Sequence, residues 1–434
     1  MNNWKKIPIT STQIGYMKTL ENGMQVCLIP NTDFHEAHAS FTTRYGSIHR
    51  RFMYPKTGAF YTAPDGVAHF LEHKMFDQPD GSDVFLAFSQ IGASANAYTS
   101  HEQTAYIFST NTNTAEATKV LLDYVQSPQF TDETVEKEKG IIEQEIQMYE
   151  DQFSWIGYRC ALGHSYPNHP VGVDIAGTVE SIYAITKEDL YACYETFYHP
   201  SNMQFIMSGN FDLETIQKTI IENQALKAYQ KQTDIVMEDV EDQTIPGIKA
   251  LKKQIDAQTN YVSAIFKDIR VVKDRFKHHI YEEMVVDIIL DMLFSNISPY
   301  YDQFVDEHIV DTGISCYATY EKEYAFLLTQ VKTKDPNGFI EKYKQCWYEG
   351  ATITRDQFDC VRKLHIGSQI QGQNNMSYLT QEMGRLLHEQ LTPKDLLEWL
   401  QLITFEEIEL KYQEIVSQLD SYLSFVLLEG NIVK

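Results

Sequence analysis

The sequence has no apolar stretch long enough to span a membrane, and no C-x-x-C pair among its six cysteines. Those cysteines, at 27, 160, 193, 316, 346 and 360, are scattered. They read as reduced, mostly buried thiols in a cytoplasmic protein, not as a disulfide framework. No apolar run follows Met1-Asn-Asn-Trp-Lys-Lys6, so no signal peptide is expected. Positive charge is scarce: 36 Lys and Arg face 60 Asp and Glu, a formal net charge of −24. Such a surface repels nucleic acid and anionic membrane, and leaves neutral or basic peptides as suitable partners. The same charge also serves plain solubility. The 434 residues exceed what one core fills and fit two domains.

What is present centres on His69-Phe70-Leu71-Glu72-His73. Residues three and four apart share a helix face, so His69 and His73 stack with Glu72 beside them. Two neutral imidazoles at that spacing grip one metal ion, and H-x-x-E-H is the inverted zinc-peptidase signature. Two surface histidines on an ordinary amphipathic helix would show the same spacing, but the hydrophobic neighbours suit a buried helix. Asp65 is placed to cap this helix and Gln78-Pro-Asp-Gly81 to end it. Catalytic zinc takes three protein ligands and keeps one position for water. His69, His73 and one carboxylate fill the three, and Glu72, next to a ligand, is the natural base. The chemistry implied is amide hydrolysis without a covalent intermediate. Glu138 and Glu145, seven apart on one face of a capped helix from Thr131 to Ile146, lie on the acid-rich helix placed to complete the site. A solvated charged face is the ordinary meaning of such a run.

Around this centre the chain alternates short strands and helices. Residues 18–30 read as a hairpin turning at Asn22-Gly23, and His38 to Tyr45 as a strand followed by a loop to Pro64. A helix is expected from about Ser82 to Ile91. The small, polar stretch Gly92 to Ser100 precedes a strand from Thr104 to Ser109. If that stretch is a sheet edge, a peptide can add to it as an extra strand; a plain hairpin would look the same. Later helices are expected over about 114–126, from a Thr186-x-x-Asp189 capping box, and to about Tyr229 after the strand 203–209.

Residues 230–250 are polar and acidic and read as a linker. The second half then repeats the first. His69 falls on Asp287, Glu72 on Leu290, His73 on Asp291, Glu138 on Val361 and Glu145 on Ser368, with Tyr98 near Tyr317. The elements recur while the ligands do not. This gives residues 1–229 as a domain with the zinc site, and 251–434 as a homologous domain without zinc ligands.

Three stretches, Ala68 to His73, Gly92 to Thr104 and Glu136 to Glu145, resemble the pitrilysin/insulinase (inverzincin) family of zinc peptidases. The likeness is nearest to the small bacterial subunits and the β subunit of mitochondrial processing peptidase, and Tyr198-His-Pro-Ser-Asn-Met203 fits it too. The resemblance implies an α+β fold of two similar halves, each a mainly antiparallel sheet with helices on one face. It implies that His69, His73 and Glu145 bind Zn2+, that Glu72 is the base and that Glu138 orients a ligand, with Glu143 a competing third ligand left open by spacing. Asn96, Ala97 and Tyr98 would form the edge strand that takes the substrate backbone. One departure stands out. Where active members carry an Arg and, seven residues on, a Tyr, this chain has Val305 and Thr312. A split active site is therefore expected, in a heterodimer with a homologous partner that supplies the Arg and Tyr; a homodimer is the alternative. Substrates would be short unstructured peptides or precursor peptides of the bacteriocin type. The competing function is a non-catalytic peptide-binding or assembly subunit of the same superfamily.

Overall fold

The computed structural model describes residues 4–77, 83–229, 234–238, 240, 242–247, 250–269, 279–310 and 313–431. The expected helix stop at Gln78-Pro-Asp-Gly81, the helix start at Ser82, parts of the 230–250 linker and Thr312 lie outside them. The chain forms two compact units, 1–146 with 174–239 and 369–396, and 147–173 with 240–368 and 397–434.

The first unit is built on strands β1 (Lys5–Pro8), β2 (Ile14–Thr19), β3 (Gln25–Pro30), β4 (Ala37–Thr43), β7 (Ala93–Thr99), β8 (Thr104–Thr110) and β9 (Met203–Gly209), with β5 (Arg51–Tyr54) and β6 (Ala59–Thr62) as a separate ribbon. The sheet order is β1-β2-β3-β9-β4-β8-β7. The second unit has β10 (Ala250–Gln254), β11 (Asn260–Lys267), β12 (Ile314–Tyr320), β13 (Ala325–Thr333) and β14 (Leu423–Glu429), in the order β10-β14-β11-β13-β12. Laid against β3-β9-β4-β8-β7, this sheet repeats both order and direction: the first pair is parallel in each, and the rest are antiparallel. The fold is therefore α+β with two homologous halves.

Alternation sets the two faces of each sheet. In the first unit Phe41, Tyr106, Phe108, Phe205 and Met207 point into one core with the helices Val67–Lys74, Thr114–Val125 and Lys187–Phe197. The intervening residues face the other way. There the helix Met376–Leu386 covers β4 and β9: Ser208 Oγ donates to Met376 O at 2.8 Å, and Gln204 Nε2 donates to Gly384 O. In the second unit Phe153–Ser165 plays the same part against β11 and β14, where a Cβ on Gly157 would come within 2.4 Å of Ser263 Oγ.

The Asn22-Gly23 turn forms as expected, with Gly23 at φ 90° and Met24 N–H donating to Asn22 Oδ1. The stretch before Pro64 is not the expected loop. Phe52, Tyr54, Phe60 and Tyr61 flank a turn with Gly58 at φ 65°, and the β5–β6 ribbon results. The helix expected to reach about Tyr229 ends at Ala225. Among the described residues no helix is long and apolar enough to cross a membrane.

The eight-residue helix Val67–Lys74 is too short to persist alone. Burial of Val67, Ala68, Phe70 and Leu71 holds it. Its N-cap is Gly66 at φ 83°, with no side-chain cap. Asp65, the expected cap, instead pairs with Arg50 Nε at 2.6 Å. A Cβ on Gly66 would lie 2.4 Å from Ala176 O, so both conformation and space demand glycine here. Gly66→Ala is expected to cost about 2–4 kcal/mol in urea unfolding. Gly58→Ala, at φ 65° but with nothing within 4 Å, should cost about 1 kcal/mol.

Candidate active site

The Val67–Lys74 helix and the helix Asp132–Tyr149 bring the predicted residues together. The His69 and His73 rings are 4.6 Å apart between centroids. Both Nε2 atoms face the Glu145 carboxylate, His69 at 3.7 Å from Oε1 and His73 at 3.4 Å from Oε2. One ligand atom from each of the three lies within 4.8 Å of the others. Donors held at zinc–ligand lengths in a tetrahedron stand about 3.3 Å apart. The two imidazole–carboxylate distances are thus within tenths of an ångström of that spacing, and two imidazoles and a carboxylate are the donor types zinc takes.

Glu138 sits behind the pair, with Oε1 3.0 Å from His73 Nδ1. That contact fixes the ring and leaves Nε2 to face the site. Glu143 is elsewhere: its Oε2 accepts a 2.7 Å hydrogen bond from Tyr183. Glu72 is 7% exposed, and its Oε2 accepts a 2.6 Å hydrogen bond from the Thr99 hydroxyl.

The electrostatics separate the two histidines. Burial, helped by the neighbouring His73, lowers His69 to about 3, so it is a neutral donor. Burial pushes His73 down as well, but the Glu138 hydrogen bond and the charges of Glu72, Glu138 and Glu145 outweigh it and raise the ring. Burial raises the Glu72 carboxyl against the Thr99 hydrogen bond and His73, which favour its charged form. A half-buried corner with this many carboxylates suits a cation.

The expected sheet edge is real: β7 is the last strand of its sheet. Ala93, Ala95 and Ala97 face the helix-covered core, and Thr99 shares their parity. Asn96 and Tyr98 therefore face the opposite side of the sheet from Ala97. Asn96 Oδ1 accepts a 2.9 Å hydrogen bond from Ala97 N–H. Thr99 escaped the sequence reading, although its place two residues past Ala97 puts it on the site's face.

In the second unit the counterpart positions hold a different set. Asp291 Oδ2 is 2.7 Å from His365 Nε2, Leu290 and Val361 are buried, and Asp287 Oδ1 accepts from Ala318 N–H. Among the described residues no second cluster has ligand spacing. The hairpins also correct a register: Ser100 N–H closes on Gln103 O, and Glu321 N–H on Tyr324 O. Tyr98 therefore corresponds to Thr319, and Tyr317 to Asn96.

Residues 52–178 match the sequence profile of the insulinase family, peptidase family M16, and residues 184–359 that of the peptidase M16 inactive domain. YmfH of Bacillus subtilis, named an uncharacterized zinc protease, is 38% identical over 92% of this chain and 93% of its own. The chain belongs to the insulinase (M16) family. The crystal structure of an M16-like peptidase from Alicyclobacillus acidocaldarius superposes with a TM-score of 0.87 at 32% identity, covering 99% of each chain. A probable mitochondrial-processing peptidase β subunit of Arabidopsis thaliana is 30% identical over 46% of this chain and 37% of its own. The M16 inactive-domain match falls mainly on the half whose counterpart positions lack the ligands.

Glu145→Ala is expected to abolish binding of Zn2+, and Glu143→Ala to leave it intact, in equilibrium dialysis. Glu138→Gln should retain the ion with about 10–100-fold weaker affinity in chelator competition.

Proposed function

We propose that the chain is the zinc-bearing subunit of a metalloendopeptidase that cleaves short unstructured peptides. The observation carrying this is the convergence of His69, His73 and Glu145, with Glu72 held beside them by a hydroxyl from the end of the edge strand. His69, His73 and Glu145 would hold the ion, and Glu138 would fix the His73 ring. When bound, zinc supplies Lewis acidity, polarising a scissile carbonyl and making water acidic near neutral pH. Glu72 takes the proton from the attacking water and passes it to the leaving amine. Thr99 holds the Glu72 carboxylate in position through Oε2, leaving Oε1 to receive that proton. A peptide segment adds along β7, where Ala97 offers its backbone and Asn96 and Tyr98 their side chains, and extended peptides fit such an edge better than folded proteins do.

Val305, at 43% exposure on the helix Pro299–Asp306, stands where the resemblance expects Arg. A heterodimer with a homologous subunit carrying the Arg and Tyr follows, and trimming of precursor peptides, including the bacteriocin type, is the role such a pair fits. The acidic surface and the reduced thiols suit a cytoplasmic setting.

Glu72→Gln is expected to keep about one zinc per chain and to lose about 10²–10⁴-fold in cleavage of a mixed peptide library. Persistence of the biological effect in that variant would favour the non-catalytic reading. The unmodified chain should cleave poorly until the Arg/Tyr-bearing homologue is added. Full activity at a native mass of two copies of this chain would overturn the heterodimer.

A further inference from the structure

Each sheet ends in a strand whose outer side pairs with no other described strand, β7 in the first unit and β12 in the second. In an antiparallel hairpin, alternate residues turn both N–H and C=O away from the partner strand. Counting from the closing bonds Ser100 N–H to Gln103 O and Glu321 N–H to Tyr324 O, the outward residues are Ala93, Ala95, Ala97 and Thr99 in β7, and Ile314, Cys316, Ala318 and Tyr320 in β12.

The two edges treat these groups differently. Ala318 N–H donates to Asp287 Oδ1 at 2.8 Å, and Tyr320 N–H donates to Glu283 Oε2 at 3.2 Å. Glu283 and Asp287 lie one turn apart on the helix His279–Phe294. Four helical residues rise about 6 Å, and alternate strand residues are about 6.7 Å apart, so the two carboxylates match the two amides. Among the described residues the β7 edge has no such ladder. Asp65, four residues before His69 as Glu283 is before Asp287, precedes its helix and pairs with Arg50. Ala97 N–H has only the neighbouring Asn96 amide, a cap that one side-chain rotation removes.

We infer that the two edges are unequal binding surfaces: β7 accepts one extended peptide strand, while Glu283 and Asp287 close the Ala318–Tyr320 end of β12 against peptides and against other copies of the chain. This rests on the reading of β7 as the substrate edge. The closing carboxylate Asp287 occupies the repeat position that provides His69 in the first unit. An exposed strand edge is a hazard for aggregation, and buried or inward charges are a known way to blunt one.

Residue-resolved amide exchange tests this. In the unmodified chain, Ala318 and Tyr320 amides should exchange at least tenfold more slowly than Ala97. Adding an uncleaved extended peptide to the Glu72→Gln chain should slow Ala97 and leave β12 unchanged. Glu283→Ala/Asp287→Ala should speed exchange at Ala318 and Tyr320 at least tenfold and add concentration-dependent self-association. Equal exchange at the three amides of the unmodified chain, or protection of β12 by the peptide, overturns the inference. The unmodified chain decides even if the double variant does not fold. Failure of the peptidase reading appears separately, as absent cleavage with slow β12 amides.

Discussion

Three carboxylates and two imidazoles share one half-buried corner, and their negative charge is the constraint the rest of the first unit serves. Burying carboxylates without a cation costs more than their hydrogen bonds return. The corner answers this in part with the chain alone: His73 is raised by Glu138, Glu72 and Glu145, while the more buried His69 stays neutral. A divalent ion would answer it better, and in the proposed reading His69, His73 and Glu145 would hold it. Such a set works only if the two helices cannot drift. The short Val67–Lys74 helix is fixed at its start by Gly66, pressed against Ala176, and along its length by core residues. The Glu145 helix is anchored by Val135, Ile142 and Ile146.

The duplicated scaffold separates what the fold needs from what the chemistry needs. The same order and directions of five strands appear twice. Buried apolar residues recur on the matching helices, Val67, Phe70 and Leu71 in one and Val285, Ile288 and Ile289 in the other. The ligand positions are where the halves part. An Asp–His hydrogen bond joins the two helices of the second unit, where the first has His73 facing Glu145. Neither half requires its own version for folding, because each sheet and helix set forms around the apolar residues.

The sequence made the centre of the site legible because H-x-x-E-H carries its own geometry: a helix leaves His69 and His73 little choice but to stack. Glu138 with Glu145 was equally readable, since seven residues return almost to the same face, whereas Glu143 is turned about 200° from Glu145 by the helical repeat. What spacing alone left open was which face meets the histidines, and that is a packing question settled by Val135, Ile142 and Ile146. The parts missed are those set by distant or weak local signals. Asp65 had the residue type of a cap but found Arg50. The β5–β6 ribbon is short and two-stranded. The exchange of 147–173 and 369–396 between units depends on contacts such as Ser208 with Met376 O, which no local pattern announces.

Thr99 shows how the edge strand and the chemistry are joined. It ends β7, so its position is fixed by pairing with Thr104 across the hairpin. Its hydroxyl donates to Glu72, so the carboxylate is tied to the same strand that, in the proposed reading, receives the peptide. A substrate strand held by backbone hydrogen bonds to β7 is thereby registered against the base without any side-chain contact of its own. Burial alone would drive Glu72 toward its neutral form, unable to accept a proton; the Thr99 hydrogen bond and the nearby His73 oppose that shift. In the proposed reading one strand end thus does two jobs, placing the peptide and opposing the loss of charge on Glu72. This is why small residues at 93, 95 and 97 and a hydroxyl at 99 belong to a single device.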